Sequence, residues 1–217
     1  YEGLFNAALE ATLYREVSLT PEARSAGEKC EVRIASENNR LGLSRPIYDR
    51  LKAINVPAND AETQLLLTRA LGDFERAGVG LDEAGRAKAQ TLSDKVSELN
   101  TSFEANIPKG QRKITTTPAE LDGLPQDYID AHKPGPDGKI TLTTDFPEFL
   151  PVMTYAKTPE LRHRFHQAYN QVAYPQNDPV LRELINKRDE LAKLVGRPNY
   201  ATLNLENRML NTPEKVQ

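Results

Sequence analysis

Cysteine occurs once, at Cys30, and tryptophan not at all, in a chain of 217 residues. A lone cysteine excludes an intrachain disulfide and a cysteine-rich zinc site, and it says little about the redox compartment. No hydrophobic run approaches the length of a transmembrane helix. Neither sign of charge dominates: 28 lysines and arginines face 31 acids, for a net charge of -3, and the two are mixed throughout. Without a basic stripe there is no reason to expect nucleic acid or an acidic membrane as partner. Glycine-rich phosphate loops, nucleophile elbows and paired-carboxylate signatures are also missing.

What is present is helical grammar. With 27% charged and 38% hydrophobic residues, the composition fits a soluble helical protein. A globule of this length buries roughly 70% of its unfolded surface. Leu4, Phe5, Ala8, Leu9, Leu13 and Val17 predict an amphipathic first helix. Thr20-Pro21-Glu22 starts a long charged helix on which Ala23, Ala26, Cys30 and Ile34 recur. Ser44 and Pro46 open a third helix with Ile47, Leu51 and Ile54, closed by Pro57. Asn59 and Glu62 form a capping-box pattern for a fourth, with Leu67, Ala70, Leu71 and Phe74 on its apolar face and an end near Gly78. From Asp82 the stripe Leu92, Val96, Leu99, Phe103 marks a fifth.

Residues 108–157 break this pattern. Ile114 before three threonines, and Ile140 and Leu142 alternating with Thr141 and Thr143, predict short β segments near 111–117 and 139–145, with their pairing open. The tract Pro134 to Gly138 is a turn that delivers the second. Pro147 and Pro151 bracket a bend into a short helix from Val152 to Ala156.

Three helix starts follow. Thr158-Pro159-Glu160 leads to Leu161, Phe165, Ala168 and Val172. Asp178-Pro179 leads to the stripe Leu181, Leu184, Ile185, Leu191, Leu194 and Val195, stopped by Gly196 and Pro198. Asn199 caps a last helix through Tyr200, Leu203 and Met209. The expected fold is mainly α: a multi-helix antiparallel bundle with one or two short β segments. It divides into an N-terminal helical region at 1–107, a mixed linker at 108–157 and a helical segment at 158–217.

Few residues invite chemistry. Glu160, His163 and His166 lie three apart on one helix, so a carboxylate and two imidazoles could converge on zinc. Zinc-peptidase helices instead space two histidines by four with a glutamate directly after the first, and Arg162 and Arg164 would oppose a cation here. These residues read as a solvated helix face. His132 reads as an exposed loop residue. Tyr169, Tyr174 and Tyr200 read as packed rings with satisfied tips rather than ligand contacts. No catalytic, cofactor-binding or metal-ligating residue is assigned.

The succession Tyr155-Ala156, Leu161-Arg162, Ala168-Tyr169, Asn177-Asp178, Arg188, Leu191-Ala192, Leu194-x-Gly196, Tyr200-Ala201 and Arg208-Met209 resembles the segment preceding the catalytic region in the thimet-oligopeptidase family of zinc metallopeptidases. That family includes the oligopeptidase A and peptidyl-dipeptidase types. Leu71, Asp73-Phe74, Ala77-Gly78, Leu81, Leu92, Leu99, Phe103 and Asn106 resemble its earlier helical pair, and Glu120-Leu121-x-Gly123-Leu124-Pro125 its short linker helix. The resemblance implies the N-terminal channel wall of an enzyme that hydrolyses short peptides, with Zn²⁺ in the parent and none in this portion. Its own C-terminal catalytic domain is the implied partner. Arg208-Met209 is expected to fix helix packing. The family's H-E-x-x-H helix and later glutamate ligand do not occur among these 217 residues. Both ends read as cut, because the chain opens on Tyr1 and Thr212-Pro213-Glu214 has the grammar of another helix start. A free-standing peptide- or protein-binding helical module is the alternative. The compartment is open, with the cytoplasm slightly favoured.

Overall fold

The computed structural model describes residues 2–216, apart from the side chain of Glu2. Ten helices account for most of it: α1 (Glu2–Val17), α2 (Pro21–Gly42), α3 (Arg45–Lys52), α4 (Ala61–Ala77), α5 (Glu83–Lys109), α6 (Gln126–Ala131), α7 (Phe146–Tyr155), α8 (Pro159–Tyr169), α9 (Asn177–Leu194) and α10 (Tyr200–Leu205). Two strands, β1 (Lys113–Thr116) and β2 (Ile140–Thr143), and 3-10 turns at Pro118–Leu121 and Pro213–Lys215 are the other regular elements of the described residues. The fold is mainly α, as the periodicity predicts. The chain forms two compact units, one made of the residues through Ser102 and those from Val180 on, the other of Phe103–Pro179.

In the first unit the helix starts follow the expected chemistry with two exceptions: Ser44 precedes α3 without a side-chain cap bond, and the α4 cap shifts by one residue. Thr20 Oγ1 accepts from the Ala23 N–H, Asp82 from Gly85 and Asn199 from Thr202. The α4 cap is Asp60, which accepts from the Thr63 N–H at 3.0 Å, and not Asn59. An Asn59–Glu62 box was the sequence pattern, but Asp60 stands one residue nearer the helix and offers a carboxylate to its positive end.

α1 departs from expectation more sharply. Its residues Phe5, Leu9, Leu13 and Val17 are 56–64% exposed, while Ala11 and Arg15 are buried. The reason lies on α2. A Cβ at Gly27 would stand 2.7 Å from the Ala11 carbonyl oxygen and 2.8 Å from the Arg15 nitrogen, so the two backbones nearly touch. Only small side chains or ones that fold along the groove fit such an approach. Arg15 does the latter, pairing with Glu31 at 2.9 Å, and Thr12 donates to the same carboxylate. Cys30, on the face of α2 that the sequence marks as apolar, is exposed.

The remaining helices of this unit pack around two apolar clusters. Tyr48, Phe74 and Val79 form one, with Ile47, Leu51 and Leu71 against it. Ala192, Val195 and Leu203 form the other, with Leu81, Leu191 and Tyr200. Leu181 and Ile185, expected in the α9 stripe, are exposed, as is Met209, which lies beyond α10 and is 95% exposed. A packing role for the Arg208-Met209 pair is therefore not what the side chains show. Polar bonds join α2 to α5: Asp94 accepts from Ser36 and Asn39 at 3.0 and 2.9 Å.

The second unit is built on a ribbon. β1 and β2 pair antiparallel with Ile114 opposite Leu142 and Thr116 opposite Ile140. Ile114, Ile140 and Leu142 turn inward onto Leu161 and Phe165 of α8 and Val152 of α7, and Leu121 closes the cluster. α7 is one ten-residue helix, not a bend between prolines. Pro147 falls in its first turn, where an N–H has no helical partner, so only Pro151 removes a bond. Asn177, expected to precede a cap at Asp178, opens α9 as a buried clamp. Its amide donates to the Phe103 carbonyl at 3.0 Å and its oxygen accepts from Asn106 at 2.9 Å. Gly110 meets Ala173 so closely that a Cβ would stand 2.4 Å from the Ala173 nitrogen.

Replacing Gly27 by Ala is expected to force α1 from α2 and cost about 1–3 kcal/mol, as other overpacked sites do. Gly3→Ala on the same hairpin meets open space and is expected to be neutral or to add up to about 1 kcal/mol. Urea denaturation of the two variants measures both.

Candidate functional site

α8 places the residues that the sequence singled out. Leu161 and Phe165 turn inward with no exposure, which leaves Glu160, His163 and His166 on the exposed side. No group of three or more His, Cys, Asp or Glu side chains among the described residues is arranged to hold a metal ion. Arg162 donates to the Ala156 carbonyl, and Arg164 donates to both oxygens of Glu120 at 3.0 and 3.1 Å. Two cations thus have fixed places beside the histidines.

His132 is not the free loop residue that its proline-rich setting suggests. Its Nδ1 lies 2.7 Å from the Tyr128 carbonyl oxygen, its ring stacks on Tyr128 at 4.2 Å, and its Nε2 is 3.7 Å from Glu148 Oε1. Burial, with the Glu148 carboxylate adding to it, pushes the Tyr128 phenol well above its ordinary pKa. This corner is a structural brace between the α6 region and α7. Of the three tyrosines, Tyr169 stacks on Phe149 at 3.8 Å and Tyr174 is exposed. Tyr200, in the other unit, carries the Arg188 guanidinium over its ring at 5.2 Å.

Two concave sites stand out. In the first unit, α3 and α4 enclose an apolar hollow of about 620 Å³ with Ile47, Leu51, Leu66, Leu67 and Phe74 in its walls. In the second, a polar hollow of about 500 Å³ is lined by Arg112, Lys113, Arg164, Gln167, Ala168 and Gln171. The guanidinium of Arg112 is fixed there: Nε donates to the Gln171 carbonyl and Nη2 to the Tyr174 carbonyl, each at 3.0 Å. Its backbone N–H donates to Thr144 Oγ1 at 2.9 Å.

Glu120 anchors the other side. It accepts from the Thr116 hydroxyl at 2.8 Å, from the Thr117 N–H at 3.2 Å and from Arg164. Partial burial works against its charge, but the bonds from Thr116 and Arg164, the Arg164 charge and the Thr117 bond together outweigh it and hold the carboxyl below the ordinary glutamate pKa. No pattern in the sequence marks Arg112 or Glu120 as binding residues, and Arg164 stands out there only as a neighbour of the histidines. No spacing signals them, because they meet through the ribbon and α8 and not through one helix turn.

Residues 152–217 match peptidase family M3. Oligopeptidase A of Salmonella typhimurium is 30% identical over 220 residues, covering 92% of this chain and 32% of that protein. Oligopeptidase A of Escherichia coli gives the same identity and coverage. Saccharolysin of Saccharomyces cerevisiae is 27% identical over 212 residues, 92% of this chain and 30% of its own length. The chain spans about a third of the length of the curated relatives it matches.

Because the Glu120 pKa is depressed in the fold, its contribution to stability is complete above the ordinary carboxylate pKa and is lost as pH falls through the depressed value. Arg164→Ala is expected to raise the Glu120 pKa toward the ordinary value and to shrink that acid-side loss. Carbon-detected NMR titration of the Glu120 carboxyl follows it directly.

Proposed function

We propose, from this chain's likeness to peptidase family M3, that it is the N-terminal helical portion of a zinc-dependent oligopeptidase and serves as one wall of the channel that admits short peptides. The observation that carries the reading is the asymmetry of coverage: likeness runs over 92% of this chain but only 32% of oligopeptidase A. Zinc and hydrolysis are assigned to residues outside these 217. The residues present do not suit the metal, since Glu160, His163 and His166 sit on an exposed helix side with Arg162 and Arg164 fixed beside them. This portion then contributes selection by size, not bond breaking, and its partner is the catalytic part of the same polypeptide.

The outward stripe on α1 supports that partner. Large apolar residues on successive turns, exposed on one side, mark a surface that something else covers. The apolar hollow between α3 and α4 favours a second reading, a helical module that takes an apolar anchor of a peptide or helix without chemistry.

The full-length polypeptide is expected to carry about one zinc per chain, as one-metal peptidases do, and to cleave short peptides. The 217-residue chain alone is expected to do neither. A full-length protein free of zinc, or a cleaving fragment, overturns the reading. Leu9→Ser combined with Leu13→Ser is expected to change the stability of the isolated chain by no more than about 0.5 kcal/mol per site. In the full-length protein the same pair is expected to cost about 2 kcal/mol or more, because there the side chains leave a packed interface. Thermal unfolding of both forms separates the cases.

A further inference from the structure

We propose that the polar hollow between β1 and α8 is a binding site for a peptide carboxylate. Three cations, Arg112, Lys113 and Arg164, line it in a protein whose net charge is -3. Only Arg164 is matched by an acid, Glu120. Among the described residues neither Arg112 nor Lys113 has a carboxylate partner. The bonds of Arg112 go to two carbonyls, which orient the guanidinium and leave its charge uncancelled. A planar cation held in one orientation loses little freedom when it takes up a carboxylate, and the charge-assisted bonds it forms are stronger than neutral ones.

The rest of the lining completes the recognition. Gln167 and Gln171 bring carboxamides to the same hollow, and each can donate to an oxygen that the cations attract. Ala168 keeps the floor small between them. About 500 Å³ falls within the size range of small-ligand sites, enough for the end of a peptide. That the carboxylate belongs to a peptide rests on the oligopeptidase reading, and the site adds to that reading a place away from the bond-breaking centre where charge on the peptide is felt. Lys113, exposed on a long side chain, contributes attraction over distance, while Arg112 sets geometry.

Proton–nitrogen NMR of the 217-residue chain, titrated with three peptides, tests this. Acetyl-pentaalanine offers only a terminal carboxylate. Its amide offers none. An amidated acetyl-pentapeptide with one central glutamate offers only a side-chain carboxylate. Shifts centred on Arg112, Lys113, Arg164 and Gln167 are expected with one or both acidic peptides, and the better of the two names the source of the carboxylate. The neutral amide is expected to bind about twofold to fivefold more weakly, the range of exposed charge pairs, and Lys113→Glu, which replaces an attraction by a repulsion of similar size, to weaken acidic binding about fivefold. Moving from 20 to 500 mM salt is expected to weaken it by a similar factor. The Lys113 side chain lies on the surface with no ion-pair partner among the described residues, so a folded spectrum of the variant is expected and checks the comparison. Equal binding of acid and amide, indifference to Lys113→Glu, or no shift at 10 mM peptide overturns the proposal. None of these results depends on zinc or cleavage, so the site and the enzymatic reading fail separately.

Discussion

Leu161 and Phe165, with no exposure at all, hold the second unit together. A ribbon of two four-residue strands cannot persist in water by itself, because it buries too little on either face. Here one face is lined by Ile114, Ile140 and Leu142, and those side chains need a wall. α8 supplies it on the inward side, with α7 and the turn at Leu121 filling the flanks. The outward side of the same helix is thereby committed to water and to charge. The basic hollow, the Glu120 anchor and the exposed histidines are all consequences of which side of α8 the ribbon claims.

The first unit solves its packing differently. Between α1 and α2 the determining quantity is backbone distance, set at Gly27, and not the amount of apolar area. Close approach excludes large side chains from the seam and sends them to the other side of α1. Between α2 and α5 the seam is polar, with Asp94 receiving bonds from both Ser36 and Asn39. Such seams define register more than they add stability, since each bond replaces one made to water.

Which of these features the sequence discloses depends on how local the cause is. The helices themselves are legible, because caps such as Thr20, Asp82 and Asn199 act on N–H groups three residues away. So are the two β segments, from Ile140 and Leu142 alternating with threonine. Their pairing was not readable, because it spans a 3-10 turn, α6 and an exposed turn. α1 misleads for a different reason: Phe5, Leu9, Leu13 and Val17 are a genuine apolar stripe, and periodicity says that a stripe exists without saying what it faces. The buried amide of Asn177 and the Arg112–Gln171 bond join residues that are 59 or more positions apart on at least one side of each cluster. No window of sequence contains both partners. The family resemblance, by contrast, was legible across nearly the whole chain, since it rests on ordered residues and not on contacts.

The single cysteine takes on a practical meaning once its place is known. Cys30 lies exposed on α2, one turn from Gly27, where that helix receives α1. A thiol-reactive fluorophore or spin label therefore has one attachment point among these 217 residues. It would sit on the helical hairpin whose outer stripe is the least explained surface of this unit. The protein comes with its own reporter for whatever approaches that hairpin.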